Sequence, residues 1–253
     1  MIFTANSDTS NLRLPADAMH ALFAYSLRRK LRYLYKGNYF KFRNESGEFD
    51  YPETPLNGTC YLVKIYDQKL KFGIPVSDAY QDNPSKQPLL VEEQGGVVAR
   101  FQLGQYLKID NLAEYITPDF TITTIGDGDV PRPMIGIYGD QDIITVEPGT
   151  PTNRFTFNDN FGSVNENLNN SVNQLFSGFD SAQNGSRVIK MKSDGGGSGQ
   201  NLNDNIGTDF TDISIGRAKD RYFAGDFIEA TMHLGDLTKL GSEQLWEEAK
   251  LVY

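Results

Sequence analysis

Cysteine, histidine and tryptophan are nearly absent from this 253-residue chain, which has one Cys, two His and one Trp. With Cys60 alone, no internal disulfide and no cysteine-based metal site can form. Such a composition fits assembly in a reducing compartment. His20 and His233 stand far apart in the sequence, and each is expected to be structural or exposed rather than catalytic. No nucleophile elbow, phosphate-binding loop or HExxH helix occurs. No apolar run approaches the ~18 residues that a membrane-spanning helix needs. The first residues, Met1 to Asp8, show neither a basic region nor an apolar core, so no signal peptide is expected. An excess of basic charge is also missing. The net charge is −9, from 24 basic and 33 acidic side chains, which speaks against general nucleic-acid binding.

What the chain does have is aromatic and apolar residues patterned for strands. Apolar residues make up 39% and aromatics 12%, a globular composition. Tyrosine and phenylalanine supply nearly all the rings, which suits strands more than helices. Short runs rich in β-branched and aromatic residues recur between polar turns. They cover 39–43, 59–66, 96–101, 106–109, 120–125, 134–138, 142–146, 154–157, 186–191, 211–216 and 226–232. Many short strands at regular spacing predict a sandwich or barrel. The Asn-rich stretch 158–174 reads as loop, and Ser193 to Gly199 as a flexible turn.

Two helices are expected at the ends. From Leu14 to Gly37, Pro15 and Asp17 suit a helix start. Met19, Leu22, Phe23, Leu27, Leu31 and Leu34 recur at three- and four-residue steps, and Gly37 suits a C-terminal stop. Near the other end, Ser242 is a candidate N-cap, with Leu245, Trp246, Ala249 and Val252 on one side. No repeat or linker divides the chain. A single domain is expected over 1–253, with an N-terminal arm and helix (1–37), a sandwich (38–235) and a C-terminal helix (236–253).

Charge is unevenly spread. Residues 13–43 carry eight basic groups and one acid, Asp17, so this segment is +7 and the remainder −16. Such asymmetry can mark a docking surface for an acidic partner, although charge runs are commonly solvated or internally paired. Arg28, Arg29, Arg32 and Lys36 are the candidate docking residues.

The segment Ala24-Tyr25-Ser26-Leu27-Arg28-Arg29-Lys30-Leu31, then Lys36 to Arg43, then Val63-Lys64-Ile65-Tyr66-Asp67-Gln68, resembles the opening of the catalytic β-sandwich of fungal α-L-arabinofuranosidase B. It also resembles a module of tailed-phage structural proteins. The order Phe223 to Glu229, polar turn and terminal helix is similar to the end of concanavalin A-like and laminin-G-like sandwiches. The resemblance implies a mainly β fold: a concanavalin A-like, jelly-roll antiparallel β-sandwich with an N-terminal amphipathic helix and a short C-terminal helix. The fungal enzymes are secreted and disulfide-bonded, and this chain is not built that way.

The resemblance also provides a test for catalysis. Leu175-Phe176-Ser177-Gly178 resembles a stretch of the arabinofuranosidase domain that follows its nucleophilic Glu, and the matching position here is Val172. The family's acid falls near Arg217 or Ala218, with Asp220 out of register. Retaining glycosidases need two carboxylates about 5 Å apart, and this template supplies neither; Glu166 is the one nearby substitute. The chain is therefore expected not to be an enzyme. The first expectation is a non-catalytic structural protein of a tailed-phage virion, in head decoration, tail or fibre attachment. It would be assembled in the host cytoplasm and act by docking onto other virion proteins. The alternative is a lectin-like module binding a cell-surface glycan, with Tyr138 and Tyr222, and also Tyr35 and Tyr39, as candidate sugar contacts. Nucleic acid and membrane are not expected partners. No cofactor is expected either. Asp127, Asp129, Asp140 and Asp142 are weak Ca²⁺ candidates, because Ca²⁺ takes loop carboxylates, but Asp-Gly pairs more commonly build turns.

Overall fold

A computed structural model describes residues 21–31, 35–69, 73–93, 96–116, 120–140, 143–148, 154–157, 174–183, 186–193, 196–202 and 210–234. Nineteen strands lie among them. In chain order these are β1 (Ala21–Ser26), β2 (Phe40–Asn44), β3 (Gly47–Tyr51), β4 (Cys60–Ile65), β5 (Ala79–Tyr80), β6 (Leu89–Glu93) and β7 (Gly96–Phe101). Then come β8 (Leu107–Ile109), β9 (Phe120–Gly128), β10 (Ile135–Tyr138), β11 (Ile143–Glu147), β12 (Arg154–Phe157) and β13 (Gln174–Gln183). The last six are β14 (Ser186–Ser193), β15 (Gly196–Leu202), β16 (Asp212–Ile215), β17 (Arg217–Ala218), β18 (Arg221–Tyr222) and β19 (Gly225–Leu234). Every pairing among them is antiparallel. Helical structure among the described residues is limited to two short 3-10 turns, Pro84–Lys86 and Ala113–Tyr115.

The fold is mainly β, and its strand network has two arms. One runs β15–β14–β13–β9–β19 and passes through β7 and β6 to β4. The other runs β12–β11–β10–β16–β8–β5 to the same β4 and ends with β2 and β3. Both arms contribute to one hydrophobic cluster. Phe101, Phe120, Ile122, Phe227 and Met232 come from the first arm, with Phe23 from β1 paired to β19; Phe40, Phe42, Ile109, Ile137, Ile144 and Ile215 come from the second, and Leu62 from the shared β4. The arms are thus two layers of a sandwich joined at β4. Burying each such side chain is worth about 1.5–3 kcal/mol, which fixes the register, because a one-residue slip turns the apolar set outward.

The N-terminal helix is not formed where the chain is described. Ala21–Ser26 is strand β1, paired with β19 from Ala21↔His233 to Ser26↔Glu229. All six of its residues are buried. A strand covered on both faces is apolar at nearly every position, so helical spacing can be drawn through it by chance. The strand ends where Ser26 Oγ accepts hydrogen bonds from the backbone N–H groups of Arg28 and Arg29, each at 3.3 Å. The rest of that expected helix, 14–20 and 32–34, lies outside the described residues, as does the C-terminal helix over 236–253. The glycine run expected to be a flexible turn is a strand from Gly196 onward, with Gly197↔Lys192 and Gly199↔Lys190 paired in the β14–β15 ladder.

Candidate functional site

The outer face of the second layer is polar and aromatic. On β2, β4, β5 and β8 the inward positions are Phe40, Phe42, Leu62, Ile65, Ala79, Leu107 and Ile109, all buried in the core. The alternate positions Lys41, Arg43, Tyr61, Lys64, Tyr80 and Lys108 are only half-buried. Period-two alternation produces this division. Register then aligns residues of this face across the strands: Asp50↔Lys41, Lys41↔Lys64, Lys64↔Tyr80 and Tyr80↔Lys108, and onward to Lys108↔Ser214 and Ser214↔Gly136, where Ser214 and Gly136 are buried. Cations lie on the rings of this face. Lys108 Nζ is 4.3 Å from the Tyr80 ring centre, and the Arg43 guanidinium is 4.5 Å from that of Tyr61.

At one end of this row the two-stranded hairpin β17–β18 folds back over β10. Gly216, with φ +89°, opens it in a conformation that favours glycine. Gly136 permits the approach: a Cβ there would overlap the Arg217 carbonyl oxygen and lie 2.7 Å from the Ala218 Cβ. The hairpin is pinned from two sides. Arg221 Nη2 is 2.6 Å from Glu147 Oε1, on a side chain with no solvent exposure. The same oxygen accepts from Thr145 Oγ1 at 2.7 Å. On the other side Ser214 Oγ donates to the Arg217 carbonyl at 3.1 Å.

This fold-back collects tyrosines around Arg217. Arg217 Nη2 donates to the Tyr138 hydroxyl at 2.7 Å. The guanidinium carbon lies 3.8 Å from the centre of the Tyr106 ring. Tyr106 and Tyr222 have ring centres 6.4 Å apart at a 49° tilt, and Lys86 Nζ is 5.3 Å from the Tyr106 centre. Tyr138 is buried, while Tyr106, Tyr222 and Arg217 are half-buried. Burial by itself would raise the pKa of Tyr106, but Arg217 and Lys86 outweigh it and hold the phenol below its ordinary range. Burial opposes the charge on Arg217, and Tyr138 and Tyr106 offset it, so the guanidinium stays firmly protonated. Arg217 Nε is shielded from solvent and has no hydrogen-bond partner.

The structure therefore brings together Tyr138 and Tyr222, two of the four candidate sugar contacts, and adds Tyr106 and Arg217. Their sequence signal is weak: Tyr106 sits at a strand entry, and Arg217 stands in the sequence only near the position where the resemblance places a catalytic acid. Tyr35 and Tyr39 lie elsewhere. The Tyr35 hydroxyl donates to the Asn38 carbonyl at 2.6 Å, and Tyr39 packs against the core beside Tyr51.

The candidate docking residues are dispersed. Arg29 holds Glu229 with two hydrogen bonds of 2.8 and 2.6 Å, its side chain 10% exposed and that of Glu229 3%. Arg28 Nε donates to the Val97 carbonyl at 3.1 Å. Lys36 is exposed, and Arg32 lies outside the described residues. Of the calcium candidates, Asp127 is in strand β9 opposite Asp226. Its carboxyl is held above the usual range by burial first and then by Asp226 and Asp129. Asp129 and Asp140 are exposed, and Asp142 lies outside the described residues. Among the described residues no group of three or more His, Cys, Asp or Glu side chains is placed to hold a metal ion.

Among the described residues each buried carboxylate has a structural partner, although Glu147 Oε2 itself has none. Glu229 has Arg29 and Glu147 has Arg221. Asp67 accepts from the N–H groups of Ala24, Lys69 and Ser77. Asp127 and Asp226 face each other, but both oxygens of Asp226 are taken by Arg100 at 2.8 and 2.7 Å. Val172, Glu166 and His20 lie outside the described residues, Asp220 is exposed, and His233 is buried at the end of β19. A polar hollow of about 310 Å³ at the β2–β3 turn is lined by Asn44, Glu45, Ser46, Asn57, Gly58 and Thr59 and contains no aromatic ring.

No protein-family model matches this chain, and no curated protein does. Solved structures give distant likenesses. One is domain 4 of AbnA, a GH43 extracellular arabinanase from Geobacillus stearothermophilus in complex with arabinotriose. Its TM-score is 0.46 at 10% identity, over 61% of this chain and 78% of that one. Another is the Trypanosoma rangeli sialidase, with TM-score 0.43 at 10% identity, over 95% of this chain and 37% of that one. The lectin UEA-II complexed with galactose has TM-score 0.29 at 6% identity, over 69% of this chain and 92% of that one. With TM-scores under 0.5, these likenesses carry no conclusion about ligand or chemistry.

Proposed function

We propose that this chain is a non-catalytic glycan-binding module whose site is the group Tyr106, Tyr138, Tyr222 and Arg217. The observation that supports this reading is the β17–β18 fold-back, which places tyrosine rings and a guanidinium together at a half-exposed surface. Sugars present apolar C–H faces and polar hydroxyl edges. A half-exposed ring covers the first, and fixed hydroxyl, guanidinium and ammonium groups bind the second. On a tailed-phage particle, the setting that the sequence resemblance implies, such a module would hold the particle to a host glycan.

The test is a glycan array probed with the intact chain and with Tyr222→Ala and Tyr106→Ala. Each variant is expected to bind the retained glycans about tenfold more weakly, equivalent to ~1.4 kcal/mol. An array without signal would refute the reading. The non-catalytic part fails if an aryl glycoside is hydrolysed and replacement of Asp127 or Asp226 abolishes that turnover.

A further inference from the structure

The site does not stand alone on its face. The cross-strand row Lys41–Lys64–Tyr80–Lys108–Ser214 runs directly into it, because Ser214 Oγ lies 3.3 Å from the Tyr138 hydroxyl and donates to Arg217 O. We infer that the ligand is an extended, uncharged oligosaccharide lying across β2, β4, β5 and β8 toward the hairpin at β16, with the Tyr138–Tyr222–Arg217 group at one end of its track. The inference rests on the glycan reading above and deepens it.

Three features carry it. The first is length. From β2 to β16 there are four inter-strand steps of ~4.8 Å, or about 19 Å, which is the reach of a short sugar chain rather than one ring. The second is charge. Each lysine of the row has a carboxylate neighbour: Glu48 for Lys41 at 3.8 Å, Asp78 for Lys64 at 3.2 Å and Asp82 for Lys108 at 3.8 Å. Donors and acceptors alternate, so the face suits hydroxyls, which do both, and presents no net field to gather a polyanion. The third is access. The lysine side chains are 32%, 34% and 41% exposed, and the Tyr80 hydroxyl donates to Asp110 at the surface. Pairs at this exposure hold their partners weakly, and a ligand can exchange with them.

The experiment uses the full chain against immobilised linear neutral glycans (glucans, xylans, arabinans, mannans and galactans) graded from mono- to hexasaccharide, with polygalacturonate and heparan sulfate as charged probes. Affinity is expected to rise about tenfold or more, ~1.4 kcal/mol, from the shortest to the longest bound neutral chain. Tyr80→Ala and Lys64→Ala are expected to remove that gain while binding of the shortest glycan stays unchanged. Should Tyr80→Ala melt early, Lys64→Ala and Lys108→Ala are read in the same way. Affinity that is flat with length but sensitive to Tyr222→Ala overturns the track and leaves the glycan site standing. Preference for the charged polymers overturns the uncharged assignment. Absence of binding to every probe overturns both readings.

Discussion

Two arginines of this chain sit in opposite environments. Arg29 belongs to the stretch with the densest positive charge, yet its guanidinium is buried on Glu229 of the strand beside it. Arg217 lies in a weakly patterned stretch, yet it is half-exposed among three tyrosines. The difference teaches that charge density along a chain does not measure the charge a surface presents. A cation opposite a carboxylate in a buried ladder is consumed by the fold, and one brought outward by a hairpin stays at the surface.

The contrast is open to attack from both sides. The largest expected effect is at the buried pair. Glu229→Ala leaves Arg29 charged in the interior, and loss of one partner of such a pair costs about 3–5 kcal/mol. Denaturant unfolding checks this. A loss as small as that of an exposed pair would erase the distinction between the two arginines.

Next is Gly136→Ala. The new methyl overlaps the Arg217 carbonyl, so the hairpin must shift. Overpacking of this kind costs about 1–3 kcal/mol, and glycan binding is expected to fall with it. Unchanged unfolding and binding would show that the fold-back does not build the site.

The pH dependence follows from Asp67, on the loop that ties β4 to β1. Burial pushes its carboxyl up to about 7, against the lowering effect of three N–H donors and Lys69. The groups facing it are Lys69, whose own pKa burial lowers, and Asp78 and Tyr25. Because the folded pKa is raised, the native state binds the proton that the unfolded chain has already released. Between the unfolded value of ~3.9 and about 7 this group costs up to ~1.4 kcal/mol of stability per pH unit as pH rises, and above that range the cost levels off. Unfolding of the wild type between about pH 5 and pH 7 should therefore slope downward more steeply than that of Asp67→Asn. Parallel slopes would contradict it.

The smallest effect is expected at Lys36→Ala, an exposed cation, which should change stability by no more than about 0.5 kcal/mol. A larger loss, measured by thermal melting, would mean that this part of the basic stretch is also consumed by the fold.

Much of the β architecture was legible in the sequence, because period-two alternation is set by the same burial that builds the layers. Lys41 and Arg43 alternating with Phe40 and Phe42 show this directly, as does Lys108 between Leu107 and Ile109. Legibility failed where both faces of a strand are covered. Ala21–Ser26 is apolar without alternation and passed for a helix. It failed again at Gly196–Leu202, where backbone pairing rather than side-chain propensity makes the strand. The site was half legible. Tyr138 and Tyr222 could be picked as strand tyrosines, but nothing local shows that Tyr138 is buried, that Gly136 admits a hairpin or that Arg217 then reaches Tyr106 and Tyr138. Those contacts span about 80 to 110 positions, and only the folded layers create them.

The central claim is that the tyrosines around Arg217 bind a glycan. The most direct measurement is calorimetric titration of the strongest array glycan into wild type and Tyr222→Ala, with both melting at the same temperature. Heat of binding in the wild type and about tenfold weaker affinity in the variant, ~1.4 kcal/mol, is the result predicted. Equal affinity in the two proteins would contradict it.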